Sequence, residues 1–409
     1  MNFISLFIRR RIANRPNLVN IIDNIGWLFF DKILRMVAGF IVGVWIVRYL
    51  GPEQFGKLSF ASAFVGLFGA FAGLGLRGIV VRDIVRNQIN NGEILGTAAV
   101  LQFLSGLISY GLIIGIFFWL RSEDTIGKML VVILGSIMLF KASEVVVYWF
   151  ESQVLSKYTV WVTNSSFLVF AIIKIWLILN NAPLMSFAWV TTGEAFVVAI
   201  LLGVVFVLRG PRLYNLQFTL ERAKNLLKDS WPLLLSGISI LIYMHIDKIM
   251  IGHMLDDEAV GIYSVAVRIS EIWYFIPMIV VASVFPSILK TKERNEEQYY
   301  RRLQLLYDVM VLISICIAVP MSFLSTPLVL MVFGESFVES GSVLAIYIWA
   351  GVFVFLGVAS GKWFLAENLQ NLGFMRTVIG MIINILLNLI LIPTYGILGA
   401  AVATIFSQA

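Results

Sequence analysis

Apolar runs of membrane-spanning length recur along the chain and constrain its fold more than any other feature. The first series consists of runs at residues 25–50, 58–81, 94–120, 129–150, 159–179 and 185–208. The second series consists of runs at residues 232–255, 260–289, 305–328, 342–366 and 374–393, and a last run opens at Ile397. Because a spanning helix needs about 20 apolar residues, the runs predict about 12 transmembrane helices, of which the last is truncated.

The composition indicates that a bilayer, and not water, surrounds most of the folded chain. Hydrophobic residues make up 60% of the 409 residues and charged residues only 13%, and the mean hydropathy is +0.92. A soluble protein needs a charged surface that this chain cannot supply. The predicted fold class is therefore an all-α integral membrane protein without a soluble catalytic domain.

Basic residues in the short connections predict the orientation, because Lys and Arg concentrate on the cytoplasmic side of a membrane. Alternate connections hold most of them: Arg9, Arg10, Arg11, Arg15, Arg82, Arg86, Lys157, Arg209, Arg212, Arg222, Lys224, Lys228, Lys290, Lys292, Arg294, Arg301, Arg302 and Arg376. The opposite connections are sparse and acidic. The N-terminus is therefore predicted to be cytoplasmic, and no cleaved signal peptide is expected.

An internal repeat predicts that the helices form two six-helix lobes. A shift of 205 residues superposes Leu50, Glu53, Gly56, Ser59 and Ala61 on Leu255, Glu258, Gly261, Ser264 and Ala266. A shift of 214 residues superposes Trp149 and Phe150 on Trp363 and Phe364. Both halves have the same predicted orientation, so the repeat predicts a parallel pseudo-two-fold axis along the membrane normal.

The predicted domains are an N-terminal lobe at residues 1–208, a cytoplasmic linker at residues 209–230 and a C-terminal lobe at residues 231–409, whose sixth helix is incomplete. In the linker, Leu216, Leu220, Ala223 and Leu227 recur at helical spacing. This pattern predicts a short amphipathic helix on the inner leaflet.

Ionisable residues inside the spans are the candidate functional residues, because a charge at membrane depth needs a partner or water. The deep cations are Arg35, Lys141, Lys174, Lys248 and Arg268, and the deep carboxylates are Glu144, Glu194, Asp247 and Glu271. Two pairs, Lys141 with Glu144 and Arg268 with Glu271, have the three-residue spacing that allows mutual neutralisation. We expect Lys174, Asp247, Lys248 and Arg268 to line a solvated cavity.

The balance of these charges indicates the chemistry of a ligand. The surplus of cations suits an anion such as a phosphate or pyrophosphate, whereas the carboxylates are what a carrier coupled to H⁺ or Na⁺ needs. His245 is expected to be a packed, neutral imidazole.

Motifs for enzymatic chemistry are missing from the sequence. It has no phosphate-binding glycine loop and no H-E-x-x-H motif, and its only His and Cys residues are His245, His253 and Cys316. Neither ATP hydrolysis nor zinc chemistry within the chain is therefore supported by the sequence. The sequence therefore predicts a transport protein with no catalytic residue, metal or cofactor, and no nucleic-acid partner.

Several segments resemble a known family. Residues 48–56, with the sequence RYLGPEQFG, resemble the first hairpin of bacterial polysaccharide biosynthesis flippases of the O-antigen type, which belong to the multidrug/oligosaccharidyl-lipid/polysaccharide exporter superfamily. Residues 247–252 and 261–266 are similar to the corresponding hairpin of the second half. Asn384, Asn388 and residues 393–401 are similar to the region of spans 11 and 12. Trp149 and Phe150 resemble the end of span 4, although Ser152 stands where glycine is expected.

The resemblance implies two lobes around a cationic cavity that opens alternately to the two sides of a bacterial inner membrane. The implied cargo is an undecaprenyl-pyrophosphate-linked oligosaccharide for O-antigen or lipopolysaccharide assembly, moved from the inner to the outer leaflet. Headgroup binding is assigned to Arg35, Lys141, Lys174, Lys248 and Arg268, and coupling to H⁺, Na⁺ or the membrane potential to Glu144, Glu194, Asp247 and Glu271. Membrane lipid and the polysaccharide polymerase machinery are the other implied partners.

Two alternatives stay open. A cation-coupled multidrug antiporter of the same superfamily favours an acidic, aromatic cavity, which the surplus of cations argues against. A membrane glycan polymerase or ligase usually carries a large external loop, whereas the external connections here are short.

Overall fold

The computed structural model describes residues 16–86, 91–211, 216–292 and 295–409. Throughout these ranges the regular secondary structure is helical, which confirms the predicted all-α fold. The arginines at positions 9–15, Arg212 and Arg294, which contribute to the predicted orientation, lie outside the described residues.

The α-helices of the described ranges are α1 Pro16–Leu67, α2 Gly69–Gly73, α3 Leu76–Arg86, α4 Asn91–Leu120, α5 Thr125–Gly135, α6 Glu144–Ser152, α7 Lys157–Leu179, α8 Leu184–Arg209, α9 Leu220–Met254, α10 Asp257–Glu271, α11 Phe275–Lys292, α12 Glu296–Phe333, α13 Glu339–Tyr347, α14 Ala350–Ala366 and α15 Gln370–Gln408. Three 3₁₀ segments, Ser136–Ser143, Ile272–Tyr274 and Glu335–Phe337, lie between α5 and α6, α10 and α11, and α12 and α13. Apolar chains form helices in lipid because a helix satisfies its own backbone hydrogen bonds.

Ten helical stretches of the described residues are long and apolar enough to cross a membrane, where the sequence predicts about twelve spans. Two of the ten contain a break in the helical backbone. Gly51 (φ 70°) interrupts α1 and Gly396 (φ 60°) interrupts α15. The first stretch, Gly26–Arg86, has 61 residues. A straight helix of that size would be about 90 Å long, some three times the hydrocarbon thickness, so this stretch is too long for one crossing.

The described residues form two compact units. One unit contains the described part of α1 up to Tyr49 together with Phe64–Ile238, and the other contains Leu50–Ala63 and Ser239–Ala409. Each unit has an apolar core of its own, around Leu76, Ile94 and Tyr148 in the first and Tyr299, Met310 and Phe355 in the second. The lobes at residues 1–208 and 231–409 remain a prediction.

Two segments related by the 205-residue repeat contact each other within the second unit. A Cβ on Gly56 would lie 1.6 Å from the carbonyl oxygen of Asp257, and a Cβ on Gly261 would lie 2.1 Å from that of Pro52. The 205-residue shift converts the first contact into the second. Such reciprocal contacts are typical of elements related by a two-fold axis.

A turn related by the 214-residue repeat has the same backbone conformation in both units. In the first unit the Leu155 amide donates to the Phe150 carbonyl at 2.8 Å, and in the second the Leu369 amide donates to the Phe364 carbonyl at 2.7 Å. The residue before each amide is left-handed, with φ 58° at Val154 and 56° at Asn368. Both turns therefore end a helix by the same αL arrangement.

The linker helix packs into the core of the first unit. It begins at Leu220, and Ala223 and Leu226 are buried in the core, whereas Leu220 and Leu227 are exposed. The segment is helical, as the amphipathic pattern predicts, but it is the first part of α9, which continues to Met254, and so it is not a separate short helix. Its buried face includes Leu226, which the pattern did not single out.

Two ion pairs attach this helix to the end of α3. Arg82 lies 2.5 Å from Asp229, and Arg222 pairs with Asp83. Arg82 also contacts Asp83 at 2.8 Å. The linker is thus held to the first unit by both apolar contacts and charges.

Candidate functional site

Lys174 and Glu194 form an ion pair between neighbouring helices of the first unit. The Nζ atom of Lys174 on α7 lies 3.0 Å from Oε2 of Glu194 on α8. The two side chains are only 15% and 18% exposed. A predicted headgroup cation and a predicted coupling carboxylate therefore neutralise each other.

Lys141 and Glu144 also pair, as their three-residue spacing predicts. Their charged atoms are 2.6 Å apart. Glu144 accepts a further hydrogen bond of 3.2 Å from the Tyr148 hydroxyl, which in turn accepts one of 2.9 Å from the Gln102 amide. Lys141 lies in the 3₁₀ segment Ser136–Ser143, and 3₁₀ runs of this length are uncommon inside spans and often mark a hinge.

Arg35, the remaining predicted cation of the first unit, contacts Asp31. The Arg35 Nε atom donates to the Asp31 carboxylate at 2.9 Å, and its guanidinium lies 5.4 Å from the centre of the Phe167 ring. Each predicted headgroup cation in the described part of the first unit therefore has a carboxylate partner within the unit.

Asp247 is the centre of a buried hydrogen-bond network in the second unit. Its Oδ2 atom accepts from the hydroxyls of Tyr263 at 2.8 Å and Thr404 at 2.7 Å, and its Oδ1 atom accepts from the Asn388 amide at 2.7 Å. Asp247 is 6% exposed and Asn388 is fully buried. The carboxylate is thus solvated by neutral donors.

The network continues along α15 to a tyrosine of α9. Asn388 donates to Asn384 at 3.1 Å, and Asn384 lies 3.4 Å from the Ser407 hydroxyl. The Ser407 hydroxyl lies 3.3 Å from that of Tyr243. A hydrogen-bonded chain therefore runs through the second unit from Asp247 to Tyr243.

Lys248 follows Asp247 in the sequence but makes no ion pair or hydrogen bond to any described residue. It is half-buried. It interacts electrostatically with Glu271, Asp247 and Arg268 without direct contact, while the Asp247 oxygens already accept hydrogen bonds from neutral donors. Lys248 is therefore a partly buried cation without a contacting counter-ion in the described chain.

Arg268 and Glu271 lie near Lys248 in the second unit. The two side chains interact electrostatically with each other, as their spacing predicts. Glu271 is exposed, and the Nδ1 atom of His245 is buried without a partner in the described residues. The second unit thus brings four predicted site residues together: Asp247, Lys248, Arg268 and Glu271.

Sequence reasoning from charge and depth missed the neutral residues around Asp247. Tyr263 and Thr404 are hydroxyl residues in apolar helices, which are ordinary in membrane spans. The four-residue spacing of Asn384 and Asn388 on one helical face was the available signal, because two amides in an apolar span need polar partners.

In the described ranges, His, Cys, Asp and Glu side chains form no group of three or more that could hold a metal.

Comparison with known proteins assigns the chain to a family. Residues 21–292, about two thirds of the chain, match the family model described as "Polysaccharide biosynthesis protein", and residues 232–390 match the model described as "MatE". The chain therefore belongs to the polysaccharide biosynthesis protein family. The family stated from the resemblance is confirmed at this level.

A sequence relative and two solved structures agree with this assignment. The chain is 27% identical, over 93% of its length and 80% of the relative's, to "Probable low-salt glycan biosynthesis flippase Agl15" of Haloferax volcanii. A multidrug resistance MATE family transporter in an inward-facing conformation has a TM-score of 0.71 at 15% identity and 94% coverage of both chains. The lipid II flippase MurJ in an inward closed conformation has a TM-score of 0.69 at 17% identity, covering 92% of this chain and 85% of MurJ.

These similarities show that the chain has the fold shared by MATE transporters and MurJ, and that it is a multi-pass integral membrane protein. The relatives are transporters and flippases. The prediction that the chain is not an enzyme is confirmed by this membership.

Proposed function

We propose that the chain flips a lipid-linked oligosaccharide from one membrane leaflet to the other, and that the anionic linkage of the cargo binds Lys248. The observation that carries the proposal is that no carboxylate of the described chain is in contact with Lys248. The names of the sequence relative Agl15 and of MurJ, both flippases, support the same class of cargo.

The electrostatic argument distinguishes Lys248 from the other predicted cations. A charge at membrane depth is costly unless it is paired or solvated. Lys174 is paired with Glu194 at 3.0 Å, and Lys141 is paired with Glu144 at 2.6 Å. Lys248 has no such contact among the described residues, so a phosphate oxygen of the cargo would supply it. Arg268, nearby in the same unit, would bind the same anion.

The proposed transport cycle needs two lobes with a cavity between them that can open alternately to the two sides of the membrane. We assign twelve crossings to the chain, because Gly51 and Gly396 each divide one of the ten membrane-length stretches. The reciprocal contacts at Gly56 and Gly261 and the repeated turns at Val154 and Asn368 support two lobes related by a parallel pseudo-two-fold axis.

Asp247 is our choice for ion coupling. The hydroxyl of Thr404 and the amide of Asn388 can each turn an oxygen towards a cation bound at the carboxylate. The Asn388 Oδ1 atom is buried without a partner in the described chain. Such a set of oxygens suits Na⁺, and protonation of Asp247 would instead need only one acceptor nearby. Glu144 and Glu194 already contact lysines, so we assign them smaller roles.

The remaining details extend the proposal. The carrier lipid is undecaprenyl pyrophosphate, the membrane is the bacterial inner membrane with the N-terminus on the cytoplasmic side, and the glycan serves O-antigen or lipopolysaccharide assembly beside a polymerase.

Flipping in proteoliposomes tests the proposal. The purified chain is reconstituted with a fluorescent undecaprenyl-pyrophosphate-linked oligosaccharide, and its exposure to an external quencher is followed with and without a Na⁺ or pH gradient. We expect flipping by the wild type, a loss of about tenfold or more in Lys248→Gln, and no change in Lys362→Gln, which removes an exposed lysine without a contact in the described chain. Wild-type vesicles that leave the cargo unmoved, or full activity of Lys248→Gln, would contradict it.

The match to the MatE model at residues 232–390 favours multidrug export as the second candidate. The same vesicles distinguish the two functions when they are loaded with a cationic dye. Dye efflux without glycan flipping would support the multidrug function instead.

A further inference from the structure

Arg376 on α15 is another cation of the second unit without an acidic contact in the described chain. It lies near the beginning of the helix that also carries Asn384 and Asn388, and it is exposed. Arginine has five N–H donors. Only one of them makes a hydrogen bond to a described residue, the bond from Nη1 to the Ser360 hydroxyl at 2.6 Å.

Neighbouring residues of α14 hold the guanidinium in one orientation. The Ser360 hydroxyl that accepts from Arg376 also donates to the Gly357 carbonyl at 3.2 Å. The guanidinium lies 5.4 Å from the centre of the Phe364 ring, within the range of a cation–π contact. A Cβ on Gly357 would lie 3.7 Å from Nη2, which is an ordinary van der Waals distance, so the guanidinium lies directly against the α14 backbone at this glycine.

This environment differs from that of an ordinary membrane anchor. A snorkelling cation needs only a long, flexible stem that reaches the headgroups. Arg376 instead has an oriented guanidinium, most of whose donors bind no described residue, which matches the geometry that binds two oxygens of one phosphate.

Arg376 is also electrostatically connected to the candidate ion site. Tyr243 interacts electrostatically with both Arg376 and Asp247, and its hydroxyl is at the end of the hydrogen-bonded chain described above. Tyr307 of α12 also interacts with Arg376. The guanidinium therefore belongs to a polar group of side chains from α9, α12, α14 and α15.

We propose that Arg376 is an anion subsite for a phosphate ester, oriented by Ser360 and Phe364. The inference rests on the proposed function, since it assigns a second contact to the phosphate linkage of the cargo. Ser360 is a positioning residue in this site and does not itself need to touch the phosphate.

Binding of farnesyl pyrophosphate to the full chain in phosphatidylcholine nanodiscs tests the subsite. We expect Arg376→Gln to weaken binding by about tenfold or more, because charge-assisted hydrogen bonds are lost. Arg376→Lys should restore only part of the affinity, because an ammonium cannot present two parallel donors. Ser360→Ala should weaken binding less than Arg376→Gln while leaving the charge in place, and Lys362→Gln should bind as the wild type does.

Bulk anionic lipid is the other source of phosphate, and a second set of nanodiscs distinguishes it. If Arg376 binds only headgroups, Arg376→Gln will bind the probe normally and will differ from wild type only in thermal stability when phosphatidylglycerol is added. That outcome, or equal affinity of Arg376→Lys and wild type, would overturn the proposal. Flipping that is lost in Lys248→Gln but normal in both Arg376 variants would refute the subsite while leaving the proposed function intact.

Discussion

Lys174 and Lys248 have the same side chain in apolar helices but opposite electrostatic surroundings. Lys174 contacts Glu194 at 3.0 Å, whereas Lys248 has no contacting counter-ion in the described chain. Removing one partner of a buried ion pair leaves the other charge uncompensated, which costs more than the pair itself contributes. The two lysines should therefore respond differently to the same substitution.

We expect Lys174→Gln to lower the free energy of unfolding by about 1–3 kcal/mol, below the value for a fully buried pair because both side chains retain some exposure. Lys248→Gln, which removes a charge that no described residue contacts, should leave the free energy of unfolding unchanged or raise it. Thermal unfolding in detergent measures both. The double variant Lys174→Gln with Glu194→Gln is the control, and it should recover most of the lost stability. Equal stability of Lys174→Gln and wild type would contradict a stabilising ion pair.

Glu367 should make stability depend on pH. Hydrogen bonds from Lys292 and Tyr299, both 2.8 Å, hold the pKa of its carboxyl below the ordinary value of 4.5. A lowered pKa contributes stability above the unfolded-state pKa, and this contribution is lost as the pH falls through the folded-state pKa. Wild type should therefore unfold at a higher temperature than Glu367→Gln at pH values well above 4.5, and the difference should disappear in stronger acid. A difference that is independent of pH would argue against a role for the charge.

At the scale of helices, the close approach at Gly56 allows a sharp prediction. Because its Cβ would lie 1.6 Å from the Asp257 carbonyl oxygen, Gly56→Ala must push two segments apart, and we expect it to destabilise the chain by about 2–3 kcal/mol. Gly111 of α4 is the matched control, since its Cβ would meet nothing within 4 Å. Gly111→Ala should be neutral or stabilising by about 0.5–1 kcal/mol, because alanine is the better helix former. Similar unfolding temperatures for the two variants would refute the contact.

Helices were predictable from the sequence where the apolar runs are bounded by polar turns, but the shortness of the connection between the first two helices was not. The first run ends at Leu50, beside the break at Gly51, so the sequence places the break correctly. Helical φ and ψ resume directly after Gly51, so the two predicted helices are present but meet at a single non-helical residue, with no loop between them. Nothing in the hydropathy of residues 51–57 distinguishes a broken helix from a loop.

The candidate site was predictable only as far as charge and depth allow. The Lys141–Glu144 pair follows from helical periodicity. The Lys174–Glu194 pair joins residues 20 positions apart, and it depends on how α7 and α8 face each other, which no local pattern contains. For the same reason the sequence does not reveal that Asp247 is satisfied by Tyr263 and Thr404.

At the scale of the whole molecule, the two repeat shifts are consistent with a duplicated unit that has kept its tightest contacts. Gly56 and Gly261 are exchanged by the 205-residue shift, and their contacts are reciprocal. Val154 and Asn368 are exchanged by the 214-residue shift and have the same left-handed conformation. A backbone contact without room for a Cβ tolerates only glycine, which explains why the pair Gly56 and Gly261 is readable as a repeat in the sequence.

The orientation of the molecule in its membrane is the broadest prediction, because it follows from the charge of all the connections together. Positive residues cluster in alternate connections, so Leu227 and Glu297 should face the cytoplasm, whereas Glu258 and Glu335 should face outside. All of these side chains are exposed. Since Cys316 is the single cysteine, a Cys316→Ala background allows one cysteine at a time to be placed at each position. In intact cells, a membrane-impermeant maleimide should label Glu258→Cys and Glu335→Cys, whereas Leu227→Cys and Glu297→Cys should be labelled only after permeabilisation. Labelling of Leu227→Cys in intact cells would invert the orientation, and with it the direction of transport that the proposed function requires.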